Sequence, residues 1–140
     1  MLDASYLRDM LSFVEEGSYT GVTNEALVRC FAPDIFDKAV QQSEDFAKFK
    51  YHMDEAWGAG LIRRRDSRGG DDWGVRFGSS GSVALTRVDL VLTPIGGEAL
   101  AEMRKSKGAE RLVDALKSAG GVAGREALSQ GIAALLRASI

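Results

Sequence analysis

The amino-acid sequence predicts an α+β fold in which helices come first, a small antiparallel sheet follows and further helices end the chain. Three observations predict it. Apolar residues recur at helical spacing before Gly58. A stretch rich in glycine and serine, residues 63–82, separates two short segments with the apolar alternation of strands. Thr93 and Pro94 then open a new helix, because threonine caps a helix and proline needs no amide partner in the first turn.

Two helices are expected at the start of the chain. The first covers about residues 3–16, with Asp3 or Ser5 as its cap and Gly17 as its stop. Its apolar face consists of Leu7, Met10, Leu11 and Val14. Thr23 is expected to cap the second helix, and Pro33 interrupts it before a further helical piece over residues 34–42. Cys30 is expected on the inner face of the second helix.

The third helix is expected over residues 43–58. Its buried stripe is Phe46, Phe49, Met53 and Ala56 or Trp57. The other side carries Asp45, Lys48, His52 and Glu55. Gly58 and Gly60 end the helix.

The sheet is expected to form from two strands. One begins at Leu61 and Ile62, and after a long hairpin connection the return strand covers Val83–Leu92. The helix that starts at Pro94 follows directly. Two more helices are expected over residues 109–119 and from residue 125 to the end.

This order of elements is typical of a winged helix-turn-helix domain, in which three helices pack with a small antiparallel sheet. In that fold the third helix usually lies in the DNA major groove, and the hairpin is the wing. We expect the winged-helix domain over residues 1–104 and a C-terminal helical extension over residues 105–140. An apolar stripe on the last two helices predicts that the extension packs on the domain or joins two copies into a homodimer.

Two segments resemble a known family. Tyr51 and His52, followed by Ala-Gly-Leu-Ile at Ala59–Ile62, are typical of a recognition helix that turns directly into a wing. With the segment that begins LVLTPIGGEAL at Leu90, the chain is similar over residues 45–140 to a small bacterial and phage winged-helix family known only as a domain of unknown function. The resemblance implies a fold and carries no catalytic residues.

The family has a strand-to-helix corner of the form Leu-Thr-Trp-x-Gly-His-Glu-x-Leu. This chain matches it at Leu92, Thr93, Gly96, Glu98 and Leu100. It departs from the family at three positions, where Pro94 replaces the tryptophan, Gly97 the histidine and Ala99 an aromatic residue. A role tied to that histidine therefore does not carry over.

The net charge of −2 hides an asymmetry along the chain. Residues 1–60 carry 5 Lys and Arg against 11 Asp and Glu, a balance of −6, whereas residues 61–140 carry 13 against 9, a balance of +4. Such a dipole can orient a chain on a polyanion or on an acidic protein. It argues against DNA being held by bulk charge alone, because phosphate neutralisation needs Lys and Arg concentrated on one face.

The composition, with 45% hydrophobic residues, is that of an ordinary globular protein. Apolar runs such as Ile132–Leu136 are too short to cross a bilayer, and the N-terminus lacks the basic start and apolar core of a signal peptide. The single cysteine, Cys30, allows no internal disulfide. We therefore expect a cytoplasmic protein with no membrane partner.

The sequence contains little that an enzyme would need. A zinc site takes three or four ligands, and this chain has one cysteine and one histidine. We expect Cys30 to be buried and inert, and His52 to be partly exposed on the third helix. The glycine-rich segments at 78–82 and 120–124 lack the pattern of a phosphate-binding loop. The prediction is a non-enzymatic protein with no catalytic residue, metal or cofactor.

The basic residues around the hairpin are the stronger functional signal. Residues 61–87 contain 6 arginines and no lysine against 3 aspartates. Guanidinium groups suit phosphates and a narrow minor groove, which wings commonly reach. The candidate nucleic-acid-binding residues are Lys48, Tyr51, His52, Arg63, Arg64, Arg65, Arg68, Arg76 and Arg87. The alternative is a solvated hairpin whose arginines pair with Asp66, Asp71 and Asp72.

The third helix indicates a different partner. Its outer face has a negative balance, since Lys48 and Lys50 stand against Glu44, Asp45, Asp54 and Glu55. A helix that lies on phosphates usually has the opposite sign. Two hypotheses remain. One is a DNA-binding or transcription-regulatory protein that contacts double-stranded DNA through the wing and third helix. The other is a protein-interaction module of phage or mobile-element origin that acts on a host protein complex.

Overall fold

The computed structural model describes residues 2–17, 19–36, 44–66, 72–77, 83–118 and 125–138. Six α-helices lie in these ranges: α1 (Ala4–Glu16), α2 (Asn24–Phe31), α3 (Glu44–Gly58), α4 (Pro94–Arg104), α5 (Gly108–Ser118) and α6 (Arg125–Ala138). The strands are β1 (Val22–Thr23), β2 (Ile62–Arg64), β3 (Val75–Phe77), β4 (Val83–Leu85) and β5 (Asp89–Leu92). The described part of the chain thus has an α+β fold, with these six helices and a small three-stranded antiparallel sheet.

Capping side chains set three of the helix starts. The side chains of Asp3, Thr23 and Thr93 each accept a hydrogen bond from the backbone N–H three residues ahead, at the starts of α1, α2 and α4. Each of these caps confirms a sequence prediction. The helical piece expected over residues 34–42 is a short 3-10 helix at Pro33–Phe36, and residues 37–43 lie outside the described part.

The three-stranded sheet has the order β1-β5-β2 and is antiparallel throughout. Ile62 pairs with Leu92, Arg63 with Val91 and Arg64 with Leu90. Because side chains alternate along a strand, Ile62 and Leu90 lie on the face that packs on the core, whereas Arg63 and Val91 lie on the other, outer face.

The hairpin between β2 and β5 contains a second, two-stranded sheet. β3 pairs with β4, so that Val75 lies opposite Leu85 and Phe77 opposite Val83. The single return strand predicted over Val83–Leu92 is therefore wrong, because the chain leaves the ladder at residues 86–88. At these residues the side chain of the buried Asn24 makes the hydrogen bonds that a partner strand would otherwise make. Its Nδ2 donates to the Thr86 carbonyl at 2.8 Å, and its Oδ1 accepts from the Val88 N–H at 3.3 Å.

The C-terminal helices belong to the same hydrophobic core as the rest of the chain. Leu112 of α5 and Leu128, Ile132 and Leu135 of α6 are at most 2% exposed. Helix α6 packs against α3, α4 and α5, and Gly131 lies so close to Leu116 that a Cβ there would be 2.5 Å from Leu116 Cδ2. The apolar stripe expected on these helices is therefore covered by other helices of the same chain, which is the packing alternative, and a homodimer through these helices stays a prediction.

No helix in the described ranges has both the length and the apolar composition that a membrane crossing requires.

Candidate nucleic-acid interface

The predicted contact residues fall on two parts of the fold. Lys48, Tyr51 and His52 lie on α3. The arginines lie on and after β2 and in the hairpin: Arg63 and Arg64 on β2, Arg65 just after it, Arg76 on β3 in register with Ala84, and Arg87 between β4 and β5. Arg68 lies outside the described residues.

His52 is buried, with 1% of its surface exposed. Its Nε2 accepts a hydrogen bond from the Asp3 N–H at 2.9 Å, and its Nδ1 lies 2.8 Å from the Lys48 carbonyl oxygen. A ring that accepts at Nε2 carries its proton on Nδ1, which donates to that carbonyl. Burial lowers the pKa of His52 and favours this neutral form. The prediction of a partly exposed His52 is wrong, because the start of α1 packs on that side of α3.

The two lysines of α3 contact carboxylates. Lys48 Nζ lies 3.3 Å from Asp3 Oδ2 and 4.7 Å from the centre of the Tyr6 ring, and Lys50 forms an ion pair with Asp54. Tyr51 is 40% exposed. Since both lysine charges face acidic partners, the outer surface of α3 keeps the negative balance that the sequence indicates.

Arg64 anchors the hairpin. Its Nε donates to the Asp72 carbonyl at 3.0 Å and its Nη2 lies 3.3 Å from Asp72 Oδ1. That same carboxylate oxygen accepts the Gly74 N–H at 2.8 Å. The half-buried guanidinium therefore ties β2 to the base of the β3–β4 sheet, which is the aspartate pairing that the sequence left as the alternative for these arginines.

Trp73 is the structural residue that sequence reasoning missed. Its ring is 2% exposed and meets the Phe49 ring edge-on at a centroid distance of 5.4 Å. Its Nε1–H donates to Asp54 Oδ1 at 2.9 Å, and its carbonyl accepts from Asn24 at 2.9 Å. A tryptophan inside a stretch rich in Asp, Gly and Ser is the signal that could have indicated a buried hairpin base.

Arg65 and Arg87 are exposed, and neither side chain makes a hydrogen bond or ion pair with another residue in the described ranges. Together they line an open cleft of about 480 Å³, whose other lining residues are Arg64, Asp66, Val88 and Asp89. Exposed guanidinium groups of this kind can bind phosphate oxygens, because their N–H donors match the geometry of the anion.

Arg65 also lines a second cleft, of about 720 Å³, on the outer face of the sheet. The lining residues are Val14, Glu15, Tyr19, Arg63, Arg65, Val91, Leu92, Thr93, Pro94 and Gly97. Arg63 is held over the end of its own strand, since its Nη1 donates to the carbonyls of Arg64 and Arg65 at 3.0 and 3.1 Å. The two clefts thus meet at Arg65.

Cys30 is exposed, so the prediction of a buried thiol is wrong. Helix α2 instead turns Asn24, Leu27 and Val28 inward. Among the described residues, no group of three or more His, Cys, Asp and Glu side chains is arranged to hold a metal ion.

Comparison of the chain with protein-family models, curated proteins and solved structures finds no match.

Proposed function

We propose that this chain is a non-enzymatic winged-helix protein that binds double-stranded DNA, with Arg65 and Arg87 at the base of the hairpin as its leading phosphate contacts. The element order supports the winged-helix assignment, since three helices and β1 precede a hairpin whose flanking strands, β2 and β5, pair with each other. Membership of the bacterial and phage domain family is part of the proposal and rests on the corner from Leu92 to Leu100.

One observation carries the DNA-binding proposal. Arg65 and Arg87 are exposed and line one cleft, and each has no acidic partner in the part of the chain that is described. Most other basic side chains discussed above are engaged, Arg64 with Asp72 and Lys48 with Asp3. An arginine that forms no ion pair within the described part of the chain can instead neutralise a phosphate of a bound nucleic acid.

The hairpin side, and not α3, leads the contact with phosphates in this proposal. His52 is removed from the contact set by burial, and the α3 lysines face carboxylates. Tyr51 is the residue of α3 that offers an exposed group for a base edge or the sugar-phosphate backbone. Arg63, Arg68 and Arg76 complete the basic set of the strand and hairpin.

Fluorescence anisotropy with a random-sequence duplex over a series of salt concentrations tests the proposal. We expect binding that weakens as the salt concentration increases. In the double variant R65Q/R87Q the slope of log affinity against log salt should become less steep by roughly 1.8, because two phosphate contacts are lost. The matched control is R111Q/R137Q, which removes the same charge from α5 and α6. A salt-independent affinity, or equal losses in both double variants, would contradict the proposal.

A second candidate function is a protein-interaction module, and the outer face of α3 favours it. There the half-exposed Tyr51 lies among carboxylates such as Glu44 and Glu55, a surface that suits a basic partner protein. A pull-down from nuclease-treated host extract tests it. Recovery of one partner at equal stoichiometry, lost in the Y51A/E44K variant and kept in R65Q/R87Q, would support this function in place of DNA binding.

A further inference from the structure

Tyr19 stands at a turn beside the sheet with 94% of its surface exposed. The turn is closed by the backbone N–H groups of Thr20 and Gly21, which both donate to the Gly17 carbonyl at 3.1 Å. Gly21 has a φ of +81°, and a Cβ there would lie 2.9 Å from the Leu90 carbonyl oxygen, so the turn packs closely on β5. The fold therefore fixes the backbone of Tyr19 but makes no use of its ring.

The cleft on the outer sheet face lies between Tyr19 and two arginines. Arg63 and Arg65 provide guanidinium groups, while Val91 and Pro94 add apolar surface to the lining. Its volume, about 720 Å³, is within the range of small-molecule and cofactor sites. This lining suits a ligand that is planar at one end and anionic at the other. The aromatic ring and the apolar surface would contact the planar end, and the two guanidinium groups the anionic end.

The charged residues that line the cleft are Arg63, Arg65 and one carboxylate, so their charge balance is positive. That carboxylate, Glu15, is paired with Arg104, whose Nη1 lies 2.6 Å from Glu15 Oε1. The guanidinium of Arg63 is already positioned by its two hydrogen bonds to the backbone. A phosphate that enters the cleft therefore meets two positive charges, of which that of Arg63 is positioned before binding.

We propose that this cleft binds an unpaired nucleotide next to a DNA duplex, with the base stacked on Tyr19 and its phosphate held by Arg63 and Arg65. The inference rests on the proposed function, because Arg65 lines both clefts. A strand whose duplex phosphates contact Arg65 and Arg87 can continue past Arg65 onto the outer sheet face. Stacking on an aromatic ring tolerates any base, so this contact selects for strand ends and gaps and not for sequence.

Binding of a blunt duplex and of the same duplex with a short single-stranded overhang, compared by anisotropy for wild type, Y19A and Y19F, tests the inference. We expect wild type to prefer the overhang by about tenfold, which is the scale of one base-stacking contact. Y19A is expected to bind both duplexes like the blunt one, and Y19F to keep the preference because the ring remains. Tyr19 is exposed, so neither variant disturbs the core.

The possible results separate the two proposals. Equal affinity of wild type for both duplexes would overturn this inference and leave the proposed function intact. An overhang preference that survives in Y19A would also overturn it, because the unpaired nucleotide would then lie elsewhere. Failure to bind either duplex would contradict the proposed function itself.

Discussion

The imidazole of His52 accepts a hydrogen bond from the backbone N–H of Asp3 at 2.9 Å, which joins the start of α1 to the middle of α3. A protonated ring has no acceptor, so protonation breaks this contact. Tyr6 lies against the same imidazole, with ring centroids 4.6 Å apart, and Lys48 is nearby. Burial, the largest influence, and the charge of Lys48 lower the pKa of His52, whereas the hydrogen bond to the Lys48 carbonyl and the Asp3 carboxylate raise it; the net effect favours a neutral ring.

Stability is therefore expected to fall in mildly acidic solution. Because burial lowers the pKa of His52 below its ordinary value of 6.5, the unfolded chain binds this proton more readily than the folded chain. The free energy of unfolding begins to decrease as pH falls through about 6.5, by up to about 1.4 kcal/mol per pH unit. The decrease stops below the pKa of His52 in the folded chain. Urea denaturation across this range measures it, with H52Q as the control that cannot titrate. The same pH dependence in wild type and H52Q would contradict the assignment.

Two neighbouring glycines of α4 should respond oppositely to alanine. A Cβ on Gly96 would lie 2.0 Å from the Leu61 carbonyl oxygen, whereas a Cβ on Gly97 would meet nothing within 4 Å. G96A is expected to destabilise the protein by about 2 kcal/mol or more, since backbone must move. G97A is expected to stabilise it by up to about 1 kcal/mol through helix propensity. Chemical denaturation gives both values, and similar effects would refute the close packing of α4 on residue 61.

Asn24 should be among the most sensitive polar residues in the chain. It is fully buried, its Nδ2 donates to the carbonyls of Trp73 and Thr86, and its Oδ1 accepts from the Val88 N–H. N24A leaves those backbone groups without partners, which is expected to cost about 3 kcal/mol. The control is E25A on the same helix, which removes a surface ion pair worth less than about 1 kcal/mol. Comparable losses in the two variants would rule out this role.

Adjacent arginines are expected to separate stability from binding. R64A should lower the free energy of unfolding by about 1–2 kcal/mol, because it removes the hydrogen bonds to Asp72 that hold the hairpin base. R65A should change it by less than about 0.5 kcal/mol, since its side chain is exposed and has no partner in the described ranges. Denaturation of both variants decides the matter. A larger loss of unfolding free energy in R65A than in R64A would show that Arg65, and not Arg64, stabilises the hairpin base.

Local patterns predicted the elements whose causes are local. The caps at Thr23 and Thr93, the apolar stripe of α3 and the end of that helix near Gly60 follow from neighbours in the sequence. Alternation on β2 also predicted that Arg64 faces away from Arg63 and Arg65, and Arg64 is the half-buried one of the three.

Errors arose where a distant segment decides the environment. His52 is on the polar side of α3 by sequence periodicity, yet the start of α1 covers it. The break in the return strand depends on Asn24, which lies more than sixty residues earlier in the chain. The apolar stripe on α6 follows from its sequence. A local pattern cannot show whether such a stripe packs on the core of its own chain, as it does here, or on a second chain.

An NMR titration with a short duplex tests whether the hairpin side, and not α3, holds the DNA. We expect the backbone amides of Arg63, Arg64 and Arg65 and those near Arg87 to shift progressively as duplex is added, and the Nε–H signals of Arg65 and Arg87 to shift with them. The amides of Glu44–Lys50 should stay in place. Shifts confined to α3, with Arg65 and Arg87 unchanged, would show that α3 and not the hairpin side holds the DNA.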